Sequence, residues 1–275
     1  MADPNLPSFE NPPVTEVAIG IEFAPIMWWG LQHFGLLWQE IREQYPKCVG
    51  HPAIPPSVEN FESPAPPPLD ATIGISFGND PSDARCWYSN DSEAELVQVQ
   101  RNRFVRNWRR TLTNEAYPRY SPHLRPEFQK SLINFFDFVA RQGEDIPFTQ
   151  QVEVTYVNDF EEGREWNGLP DLRGVITLWS GNTSTGFLPS PYGMRVATSY
   201  QMPDERGRLH VTAQRALRAQ DGKQVIQMRL VARRRPENSD MAGIMKAVDE
   251  CREWIVRGFD DLTTPKMHAL WRKQI

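Results

Sequence analysis

Between Glu95 and Arg125 the chain carries seven arginines, no lysine and two acids, a local charge of +5. The whole chain has a formal net charge of −5, so everything outside that stretch sums to −10. Arginine is the informative choice: its planar fork grips carboxylate or phosphate at two points and stacks on aromatic rings, whereas lysine is a point charge. In RFVRNWRR, strand alternation sets Arg103, Val105, Asn107 and Arg109 on one face and Phe104, Arg106, Trp108 and Arg110 on the other. Tyr117 and Tyr120 follow directly. The candidate binding surface is therefore Arg101, Arg103, Asn107, Trp108, Arg109, Tyr117 and Tyr120. Three uses compete for it. The arginines tie strands and acidic loops together inside the protein, or recognise an anionic protein or peptide, or bind nucleic acid or a nucleotide by charge and stacking.

Reaction chemistry leaves no comparable trace. GNTSTG at 181–186 has the glycine spacing of a phosphate loop, but Phe187 and Leu188 stand where Lys and Ser/Thr would hold phosphate and magnesium. There is no GxGxxG, GxSxG, HExxH or CxxC. His33, His51, His123, His210 and His268 are single and distant in sequence, which suits surface or capping roles better than a zinc site. Cys48, Cys86 and Cys251 are odd in number and scattered, as in a reducing cytoplasm, and Cys251 falls on an apolar helix stripe. Asp159, Glu161, Glu162, Glu165 and Asp171 lack the ligand spacing of a calcium loop and read as a solvated acidic loop. No catalytic residue, metal or cofactor is assigned. The nine tryptophans, Trp28, Trp29 and Trp166 among them, fill space between sheet and helix or mark an interface.

The elements that position these residues follow from periodicity. The composition of the 275 residues (40% hydrophobic, 24% charged) is that of a globular chain and excludes a disordered or coiled-coil one. No apolar run reaches the roughly 18 residues of a membrane span. The start lacks a secretory pattern, so a cytoplasmic location is expected. Val17, Ile19, Ile21 and Phe23 alternate as a strand, then Leu31, Phe34, Trp38, Ile41 and Tyr45 step at helical spacing. The first seventy residues hold 13 of the 24 prolines, and the run from Pro52 to Pro68 reads as an extended surface connection. Strands are expected around Ile73–Phe77 and over RCWYS, ELVQVQ and RFVRNWR, followed by a helix that begins near Pro126 and ends at Gly143. The second half repeats the order with its first helix replaced by the acidic loop: QVEVTYV, GVITLWS, YGMRVATSYQ, RLHVTAQRAL and KQVIQMRLVARR. Asp221-Gly222 turns the last pair, and a helix from Met241 to Leu262 follows, with a short final helix after Thr264-Pro265. The fold class is thus α+β. It comprises two tandem modules of antiparallel sheet plus long helix, β-α-β4-α over 1–145 and β-loop-β4-α over 146–275, in helix-grip or TBP-like order.

LPSFENPPVTEVAIGIEF at the start, ELVQVQRNRFVRNWRR with YPRY in the middle, and ECREWIVRGFDDLT near the end together resemble a sporadically distributed family of prokaryotic proteins of unassigned function. The likeness spans essentially the whole chain. It implies a single cytoplasmic protein in an accessory setting, such as a defence or toxin-control locus, and carries over no site residue. The leading expectation is a non-catalytic binding or adaptor protein that meets a protein partner through the arginine and aromatic surface and forms homo-oligomers. Nucleic acid is the secondary partner class, and no membrane is expected. One alternative is a small-molecule or nucleotide sensor, its pocket between sheet and helix lined by Met228, Met241, Met245 and Trp254. The other is a hydrolase or nuclease whose residues converge only on folding.

Overall fold

The computed structural model of this chain describes residues 6–63, 84–111, 115–180, 187–189 and 191–274. The element order is β1 (Val14–Phe23), α1 (Leu31–Ile41), β2 (Lys47–Pro52), β3 (Ala84–Ser89), β4 (Glu95–Gln100), β5 (Arg103–Arg109), α2 (Arg125–Arg141), β6 (Thr149–Glu161), β7 (Arg195–Gln201), β8 (Gly207–Leu217), β9 (Gln224–Arg234), α3 (Met241–Leu262) and α4 (Pro265–Leu270). The strands form one nine-stranded antiparallel sheet in the order β2-β3-β4-β5-β1-β6-β9-β8-β7. This corrects the expectation of two tandem sheet-and-helix modules. The first strand of each half pairs with the other: Val17 lies opposite Tyr156, Ile19 opposite Val154 and Ile21 opposite Val152. Both strands direct these apolar residues to the same face, so their pairing satisfies two backbone edges and merges two cores in a single step.

Other expectations are corrected as well. GVITLWS is not a strand: Leu169–Gly174 is a 3-10 turn, and Ile176 makes only a lone bridge to Thr263. The acidic loop is not fully solvated, because Asp159, Glu165 and Trp166 are buried. Trp166 Nε1 donates to the Phe160 carbonyl at 2.8 Å and Trp271 Nε1 to Glu165 Oε1 at 3.3 Å. Burial holds the Glu165 carboxyl above its ordinary pKa. β2 forms just before the proline run, on the sheet edge that tolerates Pro52. The expected strand at Ile73–Phe77 and the GNTSTG stretch lie outside the described residues.

One sheet face carries the helices. Phe135 of α2 meets Phe104 at 5.1 Å and Phe23 at 5.8 Å, while Trp29 fills the space between Phe34, Phe135 and Phe138. α3 is capped by Asp240, whose carboxylate accepts from the Gly243 N–H at 2.7 Å. It lies so close to β8 that a Cβ on Gly258 would stand 2.7 Å from Leu209 Cδ2. Gly222 adopts φ +69° in the β8–β9 turn, where Arg218 N–H donates to the Lys223 carbonyl at 2.9 Å. Phe160, Phe259 and Trp271 pack together beneath Phe9, which brings the N-terminal segment onto α3 and α4.

The opposite face is polar and is crossed near one end by residues 54–63. Gln100 Oε1 accepts from Ile54 N–H at 2.8 Å, Glu22 Oε2 from Ser57 N–H at 2.9 Å, and Gln151 Oε1 from Glu59 N–H at 2.9 Å. Farther along, Arg208 donates to the carbonyls of Asn60, Phe61 and Ser63. The proline-rich connection is therefore a strap whose backbone groups are satisfied by side chains of successive strands, which a chain poor in its own ladder bonds requires.

Candidate functional site

The residues of the expected binding surface separate between the two faces. Arg103 Nη2 donates to Glu22 Oε1 at 2.6 Å and to Ser57 Oγ at 2.9 Å, holding the strap. Asn107 is buried between Gln98 Nε2, which donates to its Oδ1 at 2.7 Å, and Glu16 Oε1, which accepts from its Nδ2 at 2.6 Å. Arg109 is bonded to Glu93 by its Nε and Nη2 at 2.8 and 3.2 Å. Arg101 sits in the β4–β5 turn, where its carbonyl accepts from Ile26 N–H. Trp108 lies on the helix face, edge-on to Tyr117 at 5.8 Å. Arg106, on that face too, is buried against Glu95 and lies 3.7 Å from Glu127. Among these residues the guanidiniums mainly join strands, strap and helices; they do not form a continuous exposed row. A partly exposed remnant surrounds Trp87, whose ring has Arg85 at 5.2 Å, Arg109 at 6.0 Å and the tilted ring of His51 at 4.1 Å.

Two sequence-selected residues do converge. Tyr117 and Tyr120 leave the stretch after β5 and enter the space between the helix face and α3. Their hydroxyls find partners, Tyr117 with the buried Tyr156 at 3.0 Å and Tyr120 donating to Oδ1 of the partly exposed Asp249 at 2.6 Å. Arg125 clamps the same carboxylate through Nε and Nη2, both at 2.8 Å. Arg252 lies over the Tyr120 ring at 4.9 Å. Its Nε has no hydrogen-bond partner, and it forms no ion pair among the described residues. Burial raises the pKa values of Tyr117 and Tyr156, an effect the nearby Arg252 charge opposes without reversing.

These groups wall a cavity of about 320 Å³. Its apolar side comes from Phe9, Pro12, Val14, Ile255, Val256 and Phe259, and its polar side from Tyr117, Tyr156, Asn158, Arg119 and Arg252. No Asp or Glu is among its lining residues. Arg119 is already engaged, donating to the carbonyls of Phe9 at 2.8 Å and Glu10 at 3.0 Å. A wider groove of about 830 Å³ adjoins it beyond Tyr120 and Arg252, and there Met241 and Met245 join Arg125, Asp249 and Glu250. Met228, expected on a pocket wall, is instead fully buried. Sequence reasoning missed Tyr156 and Arg252. Tyr156 looks like one more inward residue of an alternating strand, and Arg252 like one charge on an amphipathic helix.

A histidine–acid cluster lies elsewhere, on the open face. Ser199 Oγ and His210 Nδ1 are 2.8 Å apart, and His210 Nε2 is 2.8 Å from Glu59 Oε1. The spacing is that of a nucleophile, base and orienting acid. However, Glu59 is also the strap's anchor, with Arg233 Nη1 donating to Oε1 at 2.6 Å and Arg208 Nη1 to Oε2 at 3.5 Å. Ser199 stands directly opposite His210 in the regular β7–β8 pairing, without the sharp turn that presents a nucleophile. The cluster serves the strap. His33, His123 and His268 are likewise spent on local bonds, to Gly30 N–H, Glu95 and Thr263. No metal-binding group of His, Cys, Asp or Glu occurs among the described residues. No described helix is long and apolar enough to cross a membrane. No protein-family model, curated protein or solved structure matches this chain.

Proposed function

We propose that this protein is a non-catalytic binding protein whose ligand is a small molecule held between α3 and the helix-bearing face of the sheet. The observation that carries this reading is the cavity of about 320 Å³ lined by the Tyr117–Tyr156 hydroxyl pair, by Arg252, which has no ion pair among the described residues, and by an apolar wall. That combination, mostly apolar with a few placed polar groups, is what small-molecule sites require. Recognition of a protein through the arginine row has less support, because Arg103, Arg106 and Arg109 are paired within the chain. Native mass spectrometry of protein purified from cells tests the proposal. A retained mass is expected in the unaltered protein, lost when Val256→Trp fills the cavity. Equal retention by the filled variant, or none by either, overturns it.

Two further features of the reading are proposals. β2 and β7 each lack a neighbour on one side among the described residues, which supports self-association by strand pairing. Light scattering at micromolar concentration should give a dimer or larger, and a strict monomer overturns this part. Three free cysteines suit a reducing cytoplasm, and the family resemblance suits an accessory role such as defence or toxin control.

A further inference from the structure

We infer that the ligand of this cavity is a monoanion with an aromatic or aliphatic body, a carboxylate whose head group lies on Arg252 and the Tyr117–Tyr156 hydroxyl pair. The inference rests on the binding reading above and adds the ligand's chemistry. The lining holds two guanidiniums and no carboxylate, in a chain whose overall charge is negative. Such a site selects an anion, since a cation would meet only repulsion and a neutral molecule would leave the charge uncompensated. The number of charges follows from the arginines' commitments. Arg119 spends its two terminal nitrogens on the carbonyls of Phe9 and Glu10 and shapes the wall. Arg252 lies over Tyr120 and forms no ion pair among the described residues, so one guanidinium charge remains for one anionic group. A planar fork matches a carboxylate better than a tetrahedral dianion, which asks for several cations. Burial raises both tyrosine pKa values, so the hydroxyls stay protonated; one donates to the other, and the proton of that acceptor is the one free for the head group. Phe9, Ile255, Val256 and Phe259 make the opposite wall apolar, which suits an apolar body for the rest of the molecule.

Two fluorescent probes of matched shape test this on the full chain. 8-Anilinonaphthalene-1-sulfonate carries one anionic group and N-phenyl-1-naphthylamine carries none. The sulfonate is expected to bind at least tenfold tighter than the amine. Arg252→Gln should erase that preference while leaving the amine's affinity within twofold, and decanoate, not decanol, should displace the sulfonate. Should Arg252→Gln lower the melting temperature, Tyr156→Phe provides the second variant, expected to weaken the sulfonate severalfold and spare the amine. Equal affinity for both probes, or a sulfonate affinity unmoved by both substitutions, overturns the anionic ligand and leaves the cavity reading standing. If neither probe binds, or if Val256→Trp leaves both bound, the cavity reading falls too.

Discussion

Glu59 of the strap and Arg233 of β9 are joined by a 2.6 Å hydrogen bond from Nη1 to Oε1 across 174 residues of sequence. Arg233 also reaches Glu153 of β6 through Nε at 2.6 Å, so one guanidinium ties the strap to the centre of the sheet. Burial alone would raise the Glu59 pKa. Its bonds from His210 and Arg233 outweigh that and hold it at about 2, against 4.5 for the free side chain.

Acid should therefore loosen the strap. A group whose pKa is depressed in the folded state stabilises fully above its unfolded value and stops doing so as pH falls through the folded one. The window runs from 4.5 down to about 2. The shift corresponds to about 3 kcal/mol at neutral pH. Denaturant unfolding as a function of pH should show that loss, and Glu59→Gln should flatten the slope below pH 4.5. A parallel slope in the variant would contradict the assignment.

The Arg103–Glu22 pair is almost wholly buried, with side-chain exposures of 11% and 3%. Arg103→Met leaves the Glu22 carboxylate without its cation and should cost about 3–5 kcal/mol. Adding Glu22→Gln should recover part of that loss. A double-mutant cycle by urea unfolding reads the coupling directly, and strictly additive losses would mean the pair does not interact.

Gly258 admits α3 to within contact of β8. Because its Cβ would stand 2.7 Å from the movable end of Leu209, Gly258→Ala should be mild and Gly258→Val should cost about 1–3 kcal/mol. Thermal unfolding of the two variants separates these outcomes. Equal melting temperatures would show that the helix can retreat freely.

Truncating the core under α2 should be more severe. Phe135 packs on Phe23, Trp29 and Phe104, and Phe135→Ala should cost about 3–5 kcal/mol by the cavity it leaves. Urea midpoints measure this, and a loss below about 1 kcal/mol would place the core elsewhere.

Ser199 should behave as an ordinary hydroxyl. Because Glu59 is committed to Arg233 and Arg208, a fluorophosphonate probe should leave the protein unlabelled, and Ser199→Ala should leave the background hydrolysis of an activated ester unchanged. Stoichiometric labelling of Ser199 would restore the hydrolase reading.

The local elements were legible because their causes are local. Alternation in Val17–Phe23, the stripe from Met241 to Leu262 and the Asp221-Gly222 turn each depend on neighbours in the chain, and each occurs where those patterns place it. Tyr117 and Tyr120 stand out in the sequence only as large rings beside an arginine run. What only the tertiary structure decided was which edges meet and which charges find partners. Alternation sets which face of β1 is apolar but is silent on whether β6 lies beside it, since any edge of suitable register offers the same backbone bonds. Charge counting likewise found the arginines but not their pairing with Glu22, Glu95 and Glu93, whose carboxylates reach them from another strand or turn and quench them. Arg252 emerged as a cavity-lining guanidinium with no ion pair among the described residues only once three distant segments had enclosed it. Pairing energy falls off within a few ångströms, and sequence distance says nothing about that separation.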